Sequence, residues 1–175
     1  MLQETGKNSF FKNAQKKQMA KSVCQNLSAN DLQQVISMTI YRLPQTNRIY
    51  IDYPTFKLYA NDDIYEKVVS HLLRIYDDCI HDFGSYFLHI NLAGFTVSAA
   101  DRYKNGVMIF SERCLKSDTK YTFLLEKMQI LNTPNSFESI IQFLKVFIPK
   151  EVSEKIETLN KQDSLILLEN IFKNR

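Results

Sequence analysis

Between residues 63 and 83 apolar side chains return every three or four positions, at Tyr65, Val68, Val69, Leu72, Leu73, Tyr76, Cys79, Ile80 and Phe83. That period marks one face of a helix. Asp62 and Asp63 suit its positive N-terminal end, and Gly84 suits its exit. A second helical pattern covers residues 8–25, where Lys12, Lys16, Lys17 and Lys21 alternate with Phe10, Phe11, Ala14 and Val23. Ser28 with Asp31 has the spacing of a helix start, followed by Leu32, Val35 and Ile36.

Other segments change to the strand habit. "MTIYRL", "NRIYID" and "TFKLYA" are rich in β-branched and aromatic residues and are separated by short polar breaks. In the third, Phe56 and Leu58 alternate with Lys57 and Tyr59, which predicts a strand. "YFLHINL" and "LEKMQIL" read as further strands. Between these two, Gly94 marks a break and Ser98 with Asp101 opens a helix carrying Tyr103, Val107, Phe110 and Cys114.

The most apolar helix follows Asn132-Thr133-Pro134. Asn135 with Glu138 has capping-box spacing, and Phe137, Ile140, Ile141, Leu144, Phe147 and Ile148 form a wide stripe. Pro149 divides this helix from a charged one, and "DSLILLENIF" makes the last. Alternation of strands and helices predicts an α/β fold: a mixed, partly parallel β-sheet covered by helices. A short helical N-terminal segment, residues 1–40, precedes a domain over residues 41–175.

Composition narrows the function. With 175 residues, 45% hydrophobic and 23% charged, the chain suits one globular core. A net charge of +3 is too small to argue for nucleic acid. Cys24, Cys79 and Cys114 are far apart and odd in number, so a reducing, cytoplasmic setting is expected, without disulfides. The polar, charged start does not read as a secretory signal.

Catalytic motifs are missing. The four glycines build no phosphate loop, and there is no Gly-x-Ser-x-Gly elbow. Cys79 and His81, two apart on a helix, diverge and form no metal pair. Asp77 and His81, four apart, have the spacing that allows a pair on a helix face, a common surface contact worth only a few tenths of a kcal/mol, roughly. No enzyme, metal or cofactor is therefore expected. The basic N-terminal helix has three readings: a solvated helix held by its aromatics, a peripheral membrane contact made by Phe10, Phe11, Lys12 and Lys16, and, behind these, a contact with nucleic acid phosphates.

The C-terminal third carries a resemblance. Ile130-Leu131-Asn132-Thr133-Pro134, then Phe137, then Lys145-Val146-Phe147-Ile148-Pro149 and Glu154-Lys155-Ile156, resembles the CRAL-TRIO family of phosphatidylinositol-transfer and retinaldehyde-binding domains. "LHINLAGFTVSAA" is similar to the family's apolar strand ending in Gly and a helix, with Asn91 where Asp is usual. The resemblance spans about residues 48–172. It implies non-catalytic binding or transfer of a phospholipid or other hydrophobic molecule, in a pocket enclosed by the sheet floor and by helix 136–149, which acts as its gate. Phe137, Ile140, Ile141, Leu144, Phe147 and Ile148 would line it. Lys155 matches a lysine that pairs with a Glu in relatives that bind inositol lipids, but here the region reads Tyr121-Thr122-Phe123-Leu124-Leu125 and the Glu is missing. Leu88 stands where some relatives place a small hydroxyl residue against the headgroup. The alternative to a headgroup role for Lys155 is a surface pair with Glu151. Some branches of the family are protein-interaction modules, so a pocket filled from inside and used for protein contact or assembly is the alternative function.

Overall fold

Five strands form one sheet in chain order, β1 to β5, in a computed structural model that describes residues 4–173 and the side chains of residues 12–142 and 146–173. The helices α1 (Glu4–Gln25) and α2 (Ala29–Thr39) come first. Then follow β1 (Ile40–Arg42), β2 (Arg48–Asp52), α3 (Tyr53–Tyr59), α4 (Tyr65–Phe83) and β3 (Tyr86–Asn91). The helices α5 (Val97–Arg102) and α6 (Lys104–Phe110), a π-turn (Ser111–Lys116), α7 (Thr119–Leu124) and β4 (Leu125–Leu131) continue the chain. It closes with α8 (Phe137–Leu144), a 3-10 turn (Lys145–Phe147), α9 (Lys150–Ser153), β5 (Ile156–Thr158) and α10 (Lys161–Phe172).

β1 runs antiparallel to β2, and every later pair is parallel. Parallel neighbours need crossovers, and the helices supply them. Alternate strand residues divide between two faces. Ile49, Leu88, Met128 and Ile130 turn to a core shared with Ile36 of α2 and Val68, Leu72 and Cys79 of α4. On the opposite face Leu43, Tyr50 and Leu131 meet Leu167, Leu168 and Ile171 of α10. A third cluster joins Tyr53, Tyr65, Phe95, Ala99, Tyr103 and Ile140.

Several expectations change. Residues 55–60 are not a strand: Tyr53–Tyr59 is a helix. Asp52 caps it, accepting from the Thr55 amide at 3.0 Å and the Thr55 hydroxyl at 2.7 Å, and Pro54 occupies the first turn. Leu58, expected beside Phe56, is 60% exposed. The helix at residue 98 begins earlier, capped by Thr96, whose hydroxyl accepts from Ala99. The first bond of α8 runs from the Ile140 amide to the Ser136 carbonyl, so the cap position is Ser136 rather than Asn135. The charged segment after Pro149 is helical only to Ser153 and then forms β5. Asp77 and His81 do not pair: Asp77 accepts from Lys120 and Tyr121, and His81 contacts Asp82. Gly84 does end α4, at φ 78°, with its amide on the Ile80 carbonyl.

The helix α1 lies against α3 and α5. Lys17 and Lys21 reach Asp62 and Asp63 at 3.9 and 2.8 Å. These acids are near the start of α4, so the contacts tie α1 to that end of the domain.

Candidate ligand cavity

The sheet floor and four helical walls leave a cavity of about 260 Å³ between them. Ile51, Ile90, Met128, Ile130 and Ile156 form the floor, because alternation puts all of them on one sheet face. Tyr53, Phe56, Tyr65, Val69 and Leu72 come from α3 and α4. Phe95, Tyr103, Val107 and Phe110 come from the region of α5 and α6. Phe137, Ile140, Ile141, Phe147 and Ile148 complete the enclosure from α8 and the segment after it.

The lining is almost wholly apolar. The Ser111 hydroxyl is used internally: it donates to the Phe147 carbonyl and links the π-turn to the segment after α8. Burial pushes the Tyr53 phenol up to about 12 and raises Tyr65 further, so both stay neutral. An apolar cavity of about 150 Å³ already stays dry and binds benzene, and drug-sized pockets begin near 300 Å³. A volume of about 260 Å³ therefore suits one hydrocarbon chain or a compact apolar molecule.

The residues singled out in the sequence are not all brought to the cavity. Phe137, Ile140, Ile141, Phe147 and Ile148 line the cavity, with Ile140 only 1% exposed. Leu144 lies outside the described side chains, as do Phe10 and Phe11. Leu88 is fully buried in the main core and is not part of the lining. Lys155 donates to the carbonyls of Thr122, Phe123 and Leu125 at 2.8, 3.2 and 2.6 Å, so a lipid phosphate would compete with three backbone acceptors. Lys12 and Lys16 are exposed on α1. The resemblance implies a sheet floor without naming its residues, and it does not mark the α5–α6 wall. The apolar patterns of both read as ordinary core, and only the tertiary structure leaves a space among them.

The buried thiols and imidazoles are held in their neutral forms. Burial pushes the Cys79 and Cys114 thiols up to about 11 and about 12, which disfavours the thiolate. His71 donates from Nε2 to the Ile40 carbonyl at 2.9 Å, while its Nδ1 accepts from Arg74 at 3.0 Å. His89 Nε2 accepts from Arg48 at 3.1 Å. Burial favours the neutral ring of both histidines. Among the described residues no group of three His, Cys, Asp or Glu side chains could hold a metal ion. No described helix is long and apolar enough to cross a membrane.

Comparison with known proteins agrees with this architecture. No curated protein matches the chain. The sequence model of the CRAL/TRIO domain matches residues 57–175, which include α4, the three strands β3, β4 and β5, and the whole α8 segment. The chain therefore belongs to the CRAL/TRIO domain family, whose members bind lipids and other hydrophobic ligands and are generally not enzymes.

Proposed function

We propose that this chain holds one hydrophobic molecule in the 260 Å³ cavity, without chemical change, and that residues 137–148 are the gate. The observation that carries the reading is the continuous apolar lining, shared by a rigid sheet floor and a segment of interrupted helix. α8 gives way to a 3-10 turn at Lys145 and stops before Pro149. Such breaks permit movement as a unit. Opening would expose Phe137 and Ile141 to water, at a cost that an apolar membrane interior removes. Each buried methylene contributes about 0.8 kcal/mol, so a ten-carbon chain gains roughly 8 kcal/mol before ordering costs.

The exposed Lys12 and Lys16 support a peripheral contact with anionic membrane, while Lys17 and Lys21 are tied to acids of the domain. Reversing the charges of Lys12 and Lys16 should weaken co-sedimentation with anionic vesicles at low salt. Unchanged binding removes the contact.

A second reading is an interaction module whose cavity is filled by its own rings. The aromatic walls favour it: Phe56 stacks on Tyr65 with centroids 6.4 Å apart, and Tyr53 meets Phe95 edge-on at 4.8 Å. Native mass spectrometry after incubation with lipid extract tests both. A bound apolar molecule, lost in a variant with an obstructed cavity, supports the carrier. A chain that stays bare and takes up no apolar probe supports the module.

A further inference from the structure

Arg102 is 7% exposed, yet no carboxylate pairs with it among the described residues. Its guanidinium Nε and Nη2 donate instead to one neutral atom, Oδ1 of Asn13 on α1, at 3.2 and 2.8 Å. The Ser98 hydroxyl donates to the same oxygen at 2.7 Å. The Asn13 amide nitrogen then donates to the Ser98 carbonyl at 3.2 Å. Three donors therefore converge on an amide oxygen, two of them from a buried cation. A guanidinium fork joined by a hydroxyl is the arrangement a carboxylate fills best, and a buried charge is stabilised most by an opposite one.

The position ties this group to the cavity. The guanidinium carbon is 5.4 Å from the centre of the Tyr103 ring, which lines the cavity. Burial raises the phenols of Tyr53, Tyr65 and Tyr103, and in all three the Arg102 charge works against that rise. The cation thus acts on three hydroxyls at the aromatic end of the cavity from just beyond its wall.

We propose that Arg102 and Ser98 form a carboxylate-binding subsite for a single-chain amphiphile with a terminal carboxylate. The side chain of Asn13 stands in for that carboxylate. The hydrocarbon chain lies in the cavity, and the carboxylate reaches the fork past the Tyr103 ring, displacing the Asn13 oxygen. The inference rests on the cavity being a hydrophobic-ligand site. It adds what that reading lacks, a polar determinant that selects among apolar chains.

The test uses a fluorescent polyene fatty acid and its methyl ester, titrated at pH 8 into the full chain. The acid should bind at least about tenfold more tightly than the ester, as one charge-assisted pair allows. Arg102→Met should bring the acid-to-ester ratio close to one. Asn13→Asp supplies a tethered carboxylate. It should raise the melting temperature and also erase the acid preference, and it decides the matter if Arg102→Met does not fold. Equal binding of acid and ester by the wild type overturns the subsite and leaves the cavity reading standing, as does an acid preference that survives Asn13→Asp. Binding of neither probe overturns both.

Discussion

The ammonium of Lys155 lies 2.6 Å from the carbonyl oxygen of Leu125, at the joint between α7 and β4. It also donates to Thr122 and Phe123. These carbonyls are at the end of a helix, where no intrahelical donor is available to them. A lysine at that end satisfies them and complements their partial negative charge. Lys155 directly precedes β5, and the Met128 amide donates to its carbonyl at 2.9 Å. One residue therefore joins the edge strand, the strand beside it and the helix that leads into that strand.

Removing the ammonium should cost stability. Hydrogen bonds to a charged group contribute about 1.5–3 kcal/mol, and partial exposure places Lys155 near the lower end. Lys155→Ala and Lys155→Met should each lower the folding free energy by about 1.5 kcal/mol in urea titrations. Lys155→Arg should recover part of it. Full stability in Lys155→Met would mean the three bonds add nothing.

Ile140 and Ile141 are neighbours on α8 with different duties. Ile140 is 1% exposed and belongs to the cluster of Tyr53, Tyr65 and Tyr103. Ile141 lines the cavity but is only half-buried. An ionised carboxylate at the first position has no route to water, so Ile140→Asp should unfold the domain. Ile141→Asp should keep its circular dichroism spectrum and lose uptake of an apolar probe. Normal uptake by a folded Ile141→Asp would remove this side chain from the site.

His89 gives the fold an acid-sensitive step. Burial first, then the Arg48 charge, lowers its pKa from 6.5 to about 4, against a weaker contact with Gln129. Between those values the unfolded chain binds the proton and the folded chain does not. Stability is therefore full above about pH 6.5 and falls as pH drops toward 4, by on the order of 3 kcal/mol at most. His71 is lowered too, mainly by burial, and acts in the same direction. His89→Gln should narrow the difference between urea midpoints at pH 7 and pH 5 without abolishing it. An unchanged difference would show that His89 titrates normally.

The parts legible in the sequence are those whose signal is long or local. The α4 stripe runs over five turns, and β4 lies over the seven residues its pattern marks, Leu125–Leu131. Ser28 and Asp31 form the capping box their spacing implies. The segment 55–60 was misread because two alternating apolar residues outweighed a stronger cue just before them, an Asp cap followed by Pro54. β5 has three residues and one apolar side chain, so no pattern marks it. It is made by pairing with Met128, Gln129 and Ile130. The α8 side of the cavity was legible because one stripe supplies it. The floor and the α5–α6 wall come from separated segments, whose shared space exists only after folding. Arg102 gave no signal, because its partner Asn13 is 89 residues away.

Gly106 offers the cleanest separation of cavity from core. It lines the cavity on α6, and a Cβ there would be 3.2 Å from the Tyr65 ring carbons Cδ1 and Cε1. The ring must yield by a few tenths of an ångström. Tyr65 also lines the cavity, so one side of the ring faces open space and it has somewhere to go. Alanine is favoured over glycine within a helix by about 1 kcal/mol, which offsets a small shift of the ring. Gly106→Ala should therefore fold with stability within about 1 kcal/mol of wild type while binding an apolar probe more weakly. Gly106→Val fills more of the space and should bind less still, though its branched side chain costs some helix propensity. A loss of several kcal/mol in Gly106→Ala would show that Tyr65 is locked in place. Undiminished probe binding in Gly106→Val would place the ligand elsewhere on the protein.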